Sequence, residues 1–357
     1  MTSARRWPIF DGHNDTLFEL CFPKKGKERS FFERSPHGHL DLPRALEGGF
    51  SGGLFAVFAR SPRESGPPLS KMKSTESGYE FLPFEPVTFE EALPLALQMM
   101  SLLFRLEAQS QGRFRVVRSA AELERCLHRG VLAAVLHAEG AEMVDPQLDA
   151  LEVFYQAGLR SLGITWSRSN AFGHGVPLKF PASPDTGPGL TEAGKALVKA
   201  CNTLGVLVDM AHLNEKGFWD VAQLSDAPLV VTHSGAHQLC PSTRNLTNEQ
   251  LDAIAQTNGV VGVSFNVRDL RMDGRTEPDT PLIDIVRHVN YISKRIGIEH
   301  VAFGSDFDGT NISNELKDVT GLPKLIAALE EEGYDKSDLR KLTHHNWLRV
   351  LKRTWKG

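Results

Sequence analysis

Cysteine is scarce: four in 357 residues, at positions 21, 126, 201 and 240, with no CxxC spacing. Neither a disulfide framework nor a thiolate zinc site is therefore expected. No stretch approaches the roughly 20 apolar residues that span a bilayer. The opening MTSARRWPIF carries no apolar segment ahead of the first hydrophobic run, and WKG ends the chain without a hydrophobic tail. Neither a leader nor a membrane anchor is expected, and a cytoplasmic setting is. An excess of one charge is also missing. With 40 Lys and Arg against 44 Asp and Glu, the net charge of −4 gives no reason to expect nucleic acid or an anionic membrane as partner. The one basic cluster, Lys24, Lys25, Lys27 and Arg29, is interrupted by Glu28 and reads as a solvated loop. No G-x-G-x-x-G follows the first hydrophobic run, which argues against a dinucleotide-binding open sheet.

What remains is ordinary globular composition, 41% hydrophobic and 24% charged, in a chain long enough for one large barrel or two domains. Its clearest pattern is a recurring short apolar run that ends in polar or small residues. The runs are WPIF (7–10), GGLFAVFA (52–59), VLAAVLHAEG (131–140), LRSLGITW (159–166), GVLVDMAH (205–212), APLVVTHS (227–234), GVVGVSFN (259–266) and HVAFGSDFDG (300–309). They lack strict alternation, as strands buried on both faces of a parallel sheet do. Between them lie stretches of helical period, among them 89–109, 190–204 and 281–297. The first of these opens with Thr88 followed by Glu90 and Glu91, suited to a helix N-terminus. Eight strands alternating with helices predict a single-domain α/β protein of the (β/α)8 TIM-barrel type over residues 1–357. Segment 61–87, rich in Pro and Ser, is expected to be a long loop after the second strand, with its GPPLSKMKSTESG portion mobile.

In such a barrel, residues that act on substrate sit at the C-terminal ends of the strands. Here those ends carry His13 and Asp15 (first), His137 and Glu139 (third), Asp209 and His212 (fifth), Thr232 and His233 (sixth), and Asp306 and Asp308 (eighth). Imidazole and carboxylate are what zinc and similar divalent ions take as ligands. Alone, HxD also suits a turn, and a lone His after an apolar run also suits a core. Several strand ends carrying such groups together make the metal-site reading much the stronger. His13 and Asp15, two apart, leave the same face of an extended chain. Arg244, eleven residues after His233, suits bidentate capture of a substrate carboxylate or a bland surface ion pair.

The motifs FDGHND (10–15), HAEGAE (137–142), LRSLGITWSRSNAFGHG (159–175), VDMAH (208–212), THSGAHQLCPSTRN (232–245), FGSDFDG (303–309) and NWLRVL (346–351) resemble, in order and approximate spacing, the renal (membrane) dipeptidase family of the metal-dependent amidohydrolase superfamily. The resemblance implies two divalent metal ions, zinc expected: His13 and Asp15 on one, His212 and His233 on the other, Glu139 bridging both. It implies Asp306 as the catalytic carboxylate that relays a proton, Arg244 as the holder of the substrate's terminal carboxylate, and His137 and Asp209 as supports behind the ligands. The implied reaction is hydrolysis of a dipeptide, including one with a C-terminal D-residue such as L-Ala-D-Ala, by a hydroxide shared between the ions. A homodimer is also implied. One position departs from the pattern. Where human-type members carry a His at the end of the fourth strand, this chain has Trp166, which donates one N–H but cannot become a cation. Trp166 and Asn170 are thus candidate substrate-binding residues, with His174 close by. The departure keeps open a metal-dependent hydrolase of another small amide or lactone; a metal-binding protein without turnover is a further alternative, hard to reconcile with Asp306.

Overall fold

The eight apolar runs form eight parallel strands that pair in chain order: β1 (Ile9–Asn14), β2 (Phe50–Phe58), β3 (Leu132–Glu139), β4 (Leu159–Gly163), β5 (Leu207–Asp209), β6 (Val230–Ser234), β7 (Val260–Val263) and β8 (Val301–Phe303). The computed structural model describes residues 7–61 and 68–356. Past the end of β8, a parallel bridge between Asn14 and Phe307 brings the last strand back to the first. Backbone hydrogen bonds from Asp15 to Phe307 (2.8 Å) and from Asp306 to His13 (3.0 Å) reinforce it. The architecture is a (β/α)8 barrel. A ninth, outer strand, Phe114–Val116, pairs with β3 and was not signalled by its three residues. No helix among the described residues is long and apolar enough to cross a membrane.

The helices form where their sequences direct. Thr88 caps Phe89–Gln109 in a reciprocal box: its backbone N–H donates to Glu91 Oε2 (2.9 Å) and its hydroxyl accepts from Glu91 N–H (3.4 Å). Glu192–Leu204 and Ile283–Ile296 likewise match the periodic stretches.

Period-two alternation stacks side chains inside the barrel. Phe10, Leu54, Val135, Leu207, Val230, Val260 and Ala302 belong to one buried cluster with Trp347, delivered by the helix Asn346–Thr354. Trp347 is fully buried and donates its indole N–H to Phe303 O (3.0 Å). Further along the same strands come His137, Asp209 and Thr232, and then Glu139. Gly12 lies between the layers. A Cβ there would collide with the Thr232 carbonyl and the Trp347 ring. Gly12→Ala is expected to cost about 1–3 kcal/mol through overpacking, read as a lowered Tm in thermal unfolding.

The segment after β2 departs from expectation. Residues 62–67, which contain the start of the portion expected to move, lie outside the described residues. The rest is not an irregular loop. Met72–Thr75 and Gly78–Phe81 form an antiparallel hairpin, and the second strand also pairs with Lys179–Phe180 from the connection after β4. The physical signal is the alternation G-Y-E-F, in which Tyr79 and Phe81 are buried and Gly78 and Glu80 are not. Surrounding Pro and Ser hid it. Tyr79, Phe81, Phe84, Leu178, Phe180 and Cys240 pack as a separate apolar cluster with Trp166 against it.

Candidate active site

At the C-terminal ends of the strands, three imidazoles converge on one carboxylate. Glu139 Oε1 stands 3.6 Å from His13 Nε2, 3.1 Å from His212 Nε2 and 3.6 Å from His233 Nε2. His13 Nε2 is 3.4 Å from Asp15 Oδ2, and the Nε2 atoms of His212 and His233 are 3.1 Å apart. His13, Asp15 and Asp306 form a second group whose ligand atoms lie within 4.8 Å of one another. All but Asp306 are buried, and Asp306 is half-buried.

Strand periodicity accounts for only part of this convergence. Glu139 ends β3, beside Phe58 of β2. β1 stops at Asn14 with an irregular register, and Asp15 stands just before the short helix Thr16–Cys21 without capping it through its side chain. The chain turn, rather than a shared pleat face, brings Asp15 to His13. His212 and Asp306 lie past their strands at φ 65° and 59°. The left-handed region is sparsely used by non-glycine residues, and such strain collects at functional sites. Gly309 lets the carboxylates crowd: a Cβ there would strike both Asp15 and Asp306.

The far side of two rings is also fixed. His212 Nδ1 pairs with Ser167 Oγ (2.6 Å) and His233 Nδ1 with Thr232 Oγ1 (2.9 Å). The Thr232 hydroxyl donates to Asp209 Oδ2 (2.7 Å), which leaves it to accept from His233 Nδ1–H. Burial, reinforced by the Arg244 charge, holds both imidazoles well below their usual range and hence neutral. Their Nε2 lone pairs face the cluster. The opposite holds for His13. Burial disfavours its cation, yet Glu139, Asp15 and Asp306 outweigh that and raise it to about 10. Burial pushes Glu139 well above the carboxylate range and Asp306 up to about 7. A cluster this crowded with acids takes up protons in the positions where cations would otherwise neutralise it.

The donor set fits divalent metal. Ligands 2.0–2.2 Å from one tetrahedral ion lie roughly 3.3–3.6 Å apart, close to the separations here. Outer partners that orient ligating histidines typically change metal affinity 10–100-fold. Ser167→Ala and Thr232→Val should each raise the metal dissociation constant by about that factor, measured by competition with a chromophoric chelator.

The other anticipated residues divide. Arg244 is buried and donates from Nη2 to His233 O (3.1 Å), with its guanidinium lining the same cavity as Asp306, Glu139 and His212. Trp166 lines that cavity too. Its ring lies 5.7 Å from His212 and packs on Phe58 and Phe84. Asn170 is not brought to the site: its amide donates to Ile164 O (2.8 Å) and its oxygen accepts from the N–H groups of Phe172 and Gly173. His174 is likewise occupied, with Ser169. Asp308 is held by Arg29 and Thr16 (both 2.8 Å), away from Arg244. His137 pairs with Ser161, and Asp11 ties β1 to β8 by accepting from Ser305 N–H (2.6 Å) and Oγ–H (2.8 Å).

Sequence reasoning missed Tyr79, Leu178, Asn266, Arg268 and Asp269, all of which line the cavity. Asn266 closes the seventh run, so the strand-end rule pointed to it and, two residues on, to Arg268. Nothing local pointed to Tyr79.

A (β/α)8 barrel with this cluster at its strand ends defines a hydrolase of the amidohydrolase superfamily. The chain belongs to the membrane dipeptidase family, peptidase family M19, whose model matches residues 3–356. It is similar to a Rhodobacter sphaeroides metallopeptidase solved with a phosphinate mimic of the dipeptide L-Ala-D-Ala, with 47% identity and a TM-score of 0.92 over 98% of this chain and all of that one. A second solved metallopeptidase of the family, dipeptidase AC, also shows 47% identity and a TM-score of 0.92, over 99% of this chain and all of that one. A Klebsiella pneumoniae protein from the 5′ region of pqqA is 51% identical over 265 residues, 74% of this chain and 98% of that protein. The dipeptidase tcpJ of Claviceps purpurea is 25% identical over 346 residues, 96% of this chain and 76% of its own length.

Proposed function

We propose that the protein is a zinc-dependent dipeptidase that hydrolyses L,D-dipeptides of the L-Ala-D-Ala kind. The observation that carries this reading is Glu139 Oε1, set 3.1–3.6 Å from three imidazole nitrogens, of His13, His212 and His233. A carboxylate so placed can bridge two ions, with His13 and Asp15 holding one and His212 and His233 the other. The dipeptide mimic held by the Rhodobacter relative supports the substrate class.

Bound divalent ions would acidify a water and polarise the scissile carbonyl. The chain's own residues supply the rest. Asp306 faces the cluster from the turn after β8, and burial raises its carboxyl above the usual carboxylate range, which favours proton uptake. It accepts the attacking water's proton and passes it to the departing amine. Arg244 receives the dipeptide's terminal carboxylate, which sets the length of substrate that reaches the cluster. Trp166 and the Tyr79 hairpin wall off the chamber and limit water.

The test is hydrolysis of L-Ala-D-Ala by chelated and zinc-restored enzyme, alongside Arg244→Ala. Chelation should abolish turnover and zinc should restore it. Arg244→Ala should lower kcat/KM by about 10–100-fold, as expected for a lost charged hydrogen bond, with much less effect on the dipeptide amide. Zinc-loaded protein that hydrolyses lactones but no dipeptide would refute the reading.

A further inference from the structure

Two guanidinium groups face the enclosed chamber, and the proposed reaction uses only one. Arg268, on the turn after β7, lines both the chamber around Arg244 and Asp306 and the outer cleft that contains Phe18, Phe22 and Arg60. Its charge, like that of Arg244, acts on both Asp306 and His212. Among the described residues neither arginine forms an ion pair, whereas the neighbouring Arg168 is paired with Glu142 at 2.7 Å. Asp306 is near enough to feel both charges but pairs directly with neither, so a partly buried guanidinium here still gains from a ligand that meets it in a direct ion pair.

Arg268 is built into place. Its guanidinium carbon lies over the Phe81 ring, 5.2 Å from the centroid. Its Nε donates to Asn266 Oδ1 (3.4 Å), as does its backbone N–H (3.2 Å). Its carbonyl accepts from Tyr79 O–H (3.3 Å) and Cys240 S–H (3.6 Å). These contacts leave the two Nη groups, the fork that grips a carboxylate. The nearest candidate anion, Asp269, is already engaged: Oδ1 accepts from Ser242 Oγ–H (3.0 Å) and Oδ2 from Asn266 Nδ2–H (2.9 Å).

We infer that Arg268 is a specificity-determining residue that receives a side-chain carboxylate on the C-terminal residue of the substrate, so that dipeptides ending in aspartate or glutamate are preferred. The inference rests on the dipeptidase reading, with Arg244 on the terminal carboxylate. The side chain of that residue leaves the same carbon as the terminal carboxylate, so it lies in the chamber the two arginines share. Arg268, which lines the chamber with Arg244 and also lines the outer cleft, is placed to meet an acid carried on that side chain.

The experiment measures kcat/KM of the zinc-loaded full chain on L-Ala-D-Ala, L-Ala-D-Asp, L-Ala-D-Glu, L-Ala-D-Asn, L-Ala-D-Gln and L-Ala-D-Lys. Each acid should exceed its amide by about 10–100-fold, the discrimination of one charge-assisted bidentate contact. Arg268→Gln should collapse that ratio towards one, and Arg268→Glu should move the preference to L-Ala-D-Lys. A native acid-to-amide ratio near one would overturn the inference. So would Arg268→Gln lowering acids and amides by the same factor, which would put Arg268 on the shared terminal carboxylate. In both cases L-Ala-D-Ala is still cleaved and the dipeptidase reading stands; no cleavage of any dipeptide would remove both.

Discussion

Asp306→Asn is expected to lower kcat on L-Ala-D-Ala by about 10²–10⁴-fold, the range that a positioned acid–base group contributes, while zinc content stays at its native value. The amide keeps the size and the hydrogen-bonding reach of the carboxylate but cannot take up a proton. Metal analysis on the same samples decides the role, because Asp306 also lies within ligand distance of His13 and Asp15. If zinc leaves with the substitution, Asp306 is a ligand and the proton must travel elsewhere. The native profile of kcat/KM should show an acid limb. Burial raises the carboxyl to about 7, and only its ionised form can act as base, so activity falls as pH drops through its pKa. Bound divalent cations would shift that limb below 7. In Asp306→Asn the limb should disappear.

Glu139→Ala should do the opposite damage. It removes the one oxygen near three imidazoles, so zinc should be lost and activity should fall by more than the roughly 100-fold typical of losing an outer partner. Excess zinc should restore little. With the carboxylate gone, His13 loses the largest influence raising it and moves down from about 10, which proton NMR of the metal-free protein can follow. Retention of two zinc ions by this variant would refute the bridging role.

How much of this was visible in the chain depends on what each residue contacts. The eight strands were legible because burial on both faces demands unbroken apolar runs, and the gathering of His13, Glu139, His212, His233 and Asp306 was legible because such groups recur at several strand ends, although each alone has a bland explanation. The exact means of their convergence was not: His212 and Asp306 reach the cluster from left-handed turns, which no periodicity encodes. Asn170 sits in a motif shared with the family, yet it spends its amide on its own loop. Tyr79 was missed because nothing local marks it, whereas Arg268 follows a strand end closely and only its seating is set from afar. Each gains its place by pairing with a segment far away in the chain, the hairpin with Lys179–Phe180 and the arginine with Phe81.

The seam between β1 and β8 has a kinetic meaning. The bond from Ser305 to Asp11 joins residues 294 apart in the chain, a contact of high sequence separation that carries a loop-closure entropy cost. His13 and Asp15 stand on one lip of that seam and Asp306 on the other. The constellation is thus complete only when the two lips meet. During refolding, the appearance of turnover would time the closing of the ring itself.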